Sequence, residues 1–254
     1  MSEIRIDREG HVGIVEICRP PNNFFDMALI GEIAGAFEAF DANSNIRAIV
    51  LAAEGKNFCA GANLANPARD TVGQRGGAHL YREAVRLFRC RKPVIAAVQG
   101  AAVGGGLGLS LVGDFRVASP ESRFTANFNR LGFHPGFGLS VTLPRVIGQQ
   151  QAALMFYTGR RLTGEEAKAI GLVDVLVPQA ELRKAALGLA TEIAHSAPIA
   201  VMSTRATLRK GLADAIAAAT DHELAEQEQQ FQTEDYKEGV KAMAERRLPV
   251  FAGR

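Results

Sequence analysis

Cysteine is scarce in this chain: Cys18, Cys59 and Cys90 are its three. An odd, unclustered set supplies neither a disulfide framework nor a zinc site. Net charge is nearly absent too. With 29 Lys and Arg against 27 Asp and Glu, the formal charge is +2, which leaves no basic footprint for nucleic acid. No apolar run approaches the roughly 18 residues that span a membrane. The first residues, Met1 to Asp7, carry charges where a signal peptide would carry an apolar core. Low-complexity tracts are missing, and so are the P-loop, H-E-x-x-H and G-x-S-x-G patterns. A dinucleotide fingerprint is excluded because the glycine cluster comes far too late in the chain. What remains is a 254-residue chain, 47% hydrophobic and 22% charged. That suits one domain of enzyme size, or one domain with an appendage. A cytoplasmic setting, no metal and no bound cofactor are the expectations.

The first half alternates strands and helices. Val12–Ile17 alternates as a strand does, and Pro20, Pro21, Asn22 and Asn23 break it. Asp26 is placed to cap a helix with an apolar stripe of Leu29, Ile30, Ile33, Phe37 and Phe40. Strands are expected over 47–52, 93–98 and 115–118, a loop over 65–80, and a helix over Tyr81 to Phe88. This order argues an α/β fold. In the second half Thr163, Gly164, Glu165 and Glu166 spell a capping box, Gly171 a stop, and 172–177 a strand ended by Pro178. Helices are expected over 180–195, 198–210 and 212–231, with a tail helix from Thr233. The division is a core over 1–197 carrying the site and a helical region over 198–254. Apolar faces in that region (Leu208, Leu212, Ile216, Leu224, Phe231) suggest self-association.

Two small-residue segments each follow a buried-strand pattern: Phe58-Cys59-Ala60-Gly61-Ala62-Asn63-Leu64 and Gly104-Gly105-Gly106-Leu107-Gly108. A small residue just past a strand lets backbone approach a ligand and aim an N–H at it. Two N–H groups converging on one carbonyl oxygen would form an oxyanion hole.

With Lys92 to Gly100 running into the triple glycine, Asp114, Thr158 to Ala167, Gly171-Leu172-Val173 and Thr233 to Gly239, these segments give the chain its resemblance. It resembles the crotonase superfamily, the enoyl-CoA hydratase/isomerase family, over nearly its whole length. The resemblance implies a spiral of ββα units with a helical C-terminal oligomerisation region that packs into homotrimers or dimers of trimers. It implies an acyl-CoA substrate whose thioester oxygen meets the N–H groups of Ala62 and Gly105. Ala60, Asn63 and Leu64 would run beside the CoA, with Arg246 and Lys56 as candidates for its phosphates. Ala65 stands where relatives often carry a lysine.

The same resemblance exposes what is missing. The two hydratase glutamates fall on Gly108 and Phe128, and a carboxylate position of some isomerases falls on Gly136, all around the acyl pocket. Neither Gly nor Phe can perform acid–base transfer, so the two-glutamate route of water addition is not expected. Nearby, His134 is the candidate base, since imidazole titrates near neutral pH. Asn127 and Asn129 could bind substrate or water, and Tyr81 and His79 could reach the pocket. Cys59 lacks an activating neighbour and is read as packing. The expected activity is that of an acyl-CoA lyase or isomerase working through an enolate. A decarboxylase, which needs the hole but no base, and a non-catalytic acyl-CoA-binding protein are the alternatives.

Overall fold

A computed structural model describes residues 2–63 and 80–254. The central sheet joins β1 (Ile4–Glu9), β2 (Val12–Ile17), β3 (Ala48–Ala53), β4 (Val94–Val98), β6 (Phe115–Ala118) and β9 (Val175–Leu176), in the order β1-β2-β3-β4-β6-β9. Only the β1–β2 pair is antiparallel; the others run parallel. A second sheet holds β5 (Ala101–Val103), β7 (Arg123–Thr125) and β8 (Arg161–Thr163), with β7 in the middle.

Burial on both faces explains the unbroken apolar run of β3, as is usual for a parallel strand. Ile49, Leu51 and Ala53 face one core; Ala48, Val50 and Ala52 face the other. The first core lies under α1 (Met27–Ala42) and α2 (Leu80–Phe88). The second lies under α7 (Leu182–Ala194), whose Leu182, Ala186, Ala190 and Ala194 recur every fourth residue and form one face. Asp26 caps α1 by accepting from the Leu29 N–H at 2.9 Å, and the expected stripe is buried. The capping box forms as spelled. Glu166 N–H donates to Thr163 Oγ1 at 3.2 Å and Thr163 N–H to Glu166 Oε2 at 2.7 Å, opening α6 (Gly164–Ala169).

Some elements differ from expectation. The charged start of the chain forms β1, an exposed edge strand whose charges discourage further pairing. The strand expected over 172–177 shrinks to β9, because Arg116 claims its first half. Its Nε donates to Leu172 O at 2.6 Å and its N–H to Asp174 Oδ2 at 2.7 Å. Two helices unforeseen in the sequence, α4 (Leu139–Ile147) and α5 (Gln149–Thr158), follow the second sheet's β7.

The C-terminal region contains α8 (Pro198–Leu208), α9 (Leu212–Gln230) and α10 (Glu234–Ala244). Its apolar face is mostly consumed within the chain. Leu212 and Ile216 join the main core, and Leu224 and Phe231 pack against it. Of the five residues expected to drive association, Leu208 stands exposed, at 68%. Among the described residues no single helix is long and apolar enough to cross a membrane.

Candidate active site

The two small-residue segments meet. After β3, Cys59 N–H donates to Ala101 O and Val103 N–H to Cys59 O, both at 3.0 Å. On the other side Ala60 N–H donates to Asn22 O at 2.9 Å and Phe25 N–H to Gly61 O at 3.0 Å. The segment is thus laced between β5 and the residues before α1.

Glycine makes the approach possible. Gly61 has φ +82°, and a Cβ there would sit 2.8 Å from Val103 O and 3.5 Å from Gly105 N. A Cβ on Gly106 would overlap the Cys59 carbonyl. Gly104, at φ 54° and ψ −120°, starts α3 (Gly105–Ser110) in a conformation closed to side-chain-bearing residues. The Ala62 and Gly105 N–H groups make no hydrogen bond to another described residue. Both residues line a cavity of about 300 Å³.

That cavity is walled mainly by aromatic and aliphatic side chains, Phe24, Phe25, Phe128, Phe133, Phe137 and Met243 among them. Its polar side chains are Asn63, Asn127 and Tyr81. The positions where the resemblance places acids in relatives are not empty. A Cβ on Gly108 would stand 2.7 Å from Phe137 Cδ1, and a Cβ on Gly136 would overlap the Tyr81 hydroxyl. Gly108 and Gly136, expected to border an acyl pocket, are therefore covered by Phe137 and Tyr81, whose side chains form the wall instead. Phe137 holds φ +65°, a backbone region unfavourable to a bulky residue. Its ring lies 5.3 Å from that of Phe25.

Tyr81 is held from behind. Its hydroxyl donates to Gln227 Oε1 at 2.8 Å, and Gln227 Nε2 donates to His134 O at 2.8 Å. One turn earlier on α9, Glu223 is fully buried and accepts from Gly138 N–H at 2.8 Å, Ser140 N–H at 3.1 Å and Ser140 Oγ at 2.5 Å. These donors open α4, whose dipole favours the carboxylate. Burial outweighs them and raises the Glu223 carboxyl above its usual range. Burial likewise raises the Tyr81 phenol, and the nearby Glu223 charge adds to it.

Of the other expected residues, Ala60, Asn63, Asn127 and Phe128 line the cavity with Ala62 and Gly105. His134 does not. It borders a separate depression with Asn129 and Gln230, and its Nδ1 lies 2.7 Å from Pro135 O. Lys56 and Arg246 are exposed and away from the cavity wall. Leu64, Ala65 and His79 lie outside the described residues. Cys59 is fully buried, and burial pushes its thiol up to about 12, which fits packing rather than nucleophilic chemistry.

A family model described as enoyl-CoA hydratase/isomerase matches residues 7–254. The chain belongs to the enoyl-CoA hydratase/isomerase family. The Bacillus subtilis protein YngF is 35% identical over 247 residues, covering 96% of this chain and 95% of that protein. The short-chain-enoyl-CoA hydratase of Clostridium acetobutylicum is 32% identical, covering 97% and 96%. Among solved structures, an enoyl-CoA hydratase/isomerase from Pseudoalteromonas atlantica superposes with a TM-score of 0.88 at 29% identity, covering 98% of this chain and all of that one. The fold is that of the crotonase superfamily.

Proposed function

We propose that this family member is an acyl-CoA enzyme that stabilises a thioester enolate between the N–H groups of Ala62 and Gly105. One observation carries the reading: two N–H groups without described acceptors are held at one apolar cavity by glycines that no larger residue could replace. An enolate concentrates its charge on oxygen, and a preorganised donor aimed there is worth about 3–4 kcal/mol. Apolar walls strengthen that interaction by excluding water. Ala60 and Asn63, beside the hole, are the CoA contacts of this reading. Lys56 and Arg246, on the exposed surface, are candidates for its phosphates.

Hydration through paired carboxylates is not part of this function, because no Asp, Glu or His is among the described residues that line the cavity. The same observation favours a second reading, decarboxylation. Loss of CO2 from an α-carboxyl thioester leaves an enolate without any base. Self-association as a trimer or a dimer of trimers belongs to the proposal. The exposed Ile199, Leu208, Leu248 and Val250 support it, and light scattering at micromolar concentration tests it.

The site is tested by calorimetric titration with a panel of CoA thioesters, alongside turnover assays. Ala62→Pro deletes one N–H and is expected to slow turnover by about 10²–10³-fold. A folded variant with unchanged kinetics would overturn the oxyanion hole. Tight binding with no turnover of any thioester would instead leave a binding protein.

A further inference from the structure

We propose that Tyr81 is the proton donor of this site, its hydroxyl protonating the α-carbon of the enolate held at Ala62 and Gly105. The inference rests on the enolate reading above. Among the described residues lining the cavity, Tyr81 alone carries a titratable side chain. Its position is built: Gly136 has no Cβ to contest the space of the hydroxyl. Gln227 is fully buried, and its amide is fixed because the His134 carbonyl can only accept. Gln227 Oε1 therefore faces Tyr81, and the phenol must be the donor in that bond. Tyr81 is thus held with its proton on, and its burial keeps it so at neutral pH. Such a group is suited to act as an acid and unsuited to act as a base.

The step balances as follows. Cleavage of the α-carboxylate releases CO2 and leaves its electron pair in the enolate. The Tyr81 O–H rotates from Gln227 toward the α-carbon. That O–H bond breaks and a C–H bond forms from the enolate pair. The negative charge passes from the thioester oxygen to the phenolate oxygen, and a solvent water reprotonates the phenolate, releasing hydroxide.

The test uses full-length protein and methylmalonyl-CoA in D2O, since labelling makes the α-carbon of the product stereogenic in a defined sense. The wild type is expected to give labelled propionyl-CoA of one configuration. Tyr81→Phe is expected to lose about 10²-fold in kcat and to give racemic label, with thioester binding retained. The chain has 3 tyrosines, so replacing them with 3-fluorotyrosine keeps the shape while lowering the phenol pKa. The ratio of H to D delivered to the product in an equal mixture of H2O and D2O should then change, a check that does not depend on Tyr81→Phe folding. Stereospecific labelling by Tyr81→Phe at the wild-type rate, or a product isotope ratio unchanged by 3-fluorotyrosine, overturns the donor role. So does a wild type that binds the thioester and yields no labelled product. Failure to bind any CoA thioester overturns the enolate reading itself, and the binding measurement tells the two apart.

Discussion

Gly108→Ala sets two effects against each other, and the structure decides the sign. Gly108 sits inside α3, where alanine is favoured over glycine by about 1 kcal/mol. On propensity alone the substitution stabilises. The new methyl, however, would stand 2.7 Å from Phe137 Cδ1 and 3.0 Å from both its Cβ and Cγ. Two of those atoms are not the flexible end of the side chain. Phe137 is 1% exposed, its ring is boxed by Phe25 and Phe88, and the following residue, Gly138, is tied to Glu223. It has nowhere to retreat. Overpacking of a well-filled core costs about 1–3 kcal/mol, and contact with the base of a boxed ring belongs at the upper end. The net expectation is a loss of about 2 kcal/mol, or roughly 4–8 °C in Tm for a chain of this size. Urea unfolding with an unchanged m-value measures it. In a Phe137→Leu background the same substitution should cost less, since the pair is in contact. Gly108→Ala at or above wild-type stability would refute the claim that Phe137 fills the place of a side chain at 108. The same packing implies that Gly108→Glu alone restores no acid.

Three further outcomes are expected. Crotonyl-CoA should be hydrated at least about 10³-fold more slowly than by a relative with two glutamates; loss of the enoyl thioester absorbance measures it, and rapid hydration would show that another group replaces both. His134→Ala should leave kcat within about two-fold, because general acid–base catalysis needs its group within reach of the substrate and His134 lies off the cavity wall; a loss of about 10²-fold with binding intact would return it to the role of base. Glu223 is raised by burial in the folded protein, so the fold holds this proton more tightly than the unfolded chain does. Its contribution is full below the unfolded carboxyl's pKa and is lost as pH rises through the folded one. The urea midpoint of the wild type relative to Glu223→Gln should therefore fall as pH rises above the ordinary carboxyl range and through the raised pKa of the folded state, and a pH-independent gap would refute it.

What could be read from the sequence was local. Asp26 and the Thr163–Glu166 box announce helix starts because their partners lie within a turn. The continuous apolar run of β3 announces a strand because both its faces are covered. The converging glycines were legible as well, since each follows a strand and admits close backbone approach. The charged β1 and the three-residue β7 and β8 were not, because edge pairing and short ladders leave no apolar period to detect. The strand over 172–177 was overread because the rival, Arg116, acts from 58 residues away.

The site was half legible for the same reason. The sequence shows that Gly108 and Gly136 lack side chains, and the inference stops at vacancy. Vacancy in a close-packed interior is not a stable condition. A ring from 137 and a hydroxyl from 81 enter those spaces, and the amide that orients the hydroxyl comes from 146 residues further along the chain. No period or motif links positions so far apart; only the packing of α2 and α9 does. Glycine at a position where the resemblance places an acid therefore affects more than the charge inventory. At 108 it admits an apolar ring, which dries the wall of the cavity. At 136 it admits a phenol, a weaker acid than any carboxyl, and burial weakens it further. On the function proposed above, such a site holds an enolate and protonates it, and has no carboxylate on the described cavity wall to activate water.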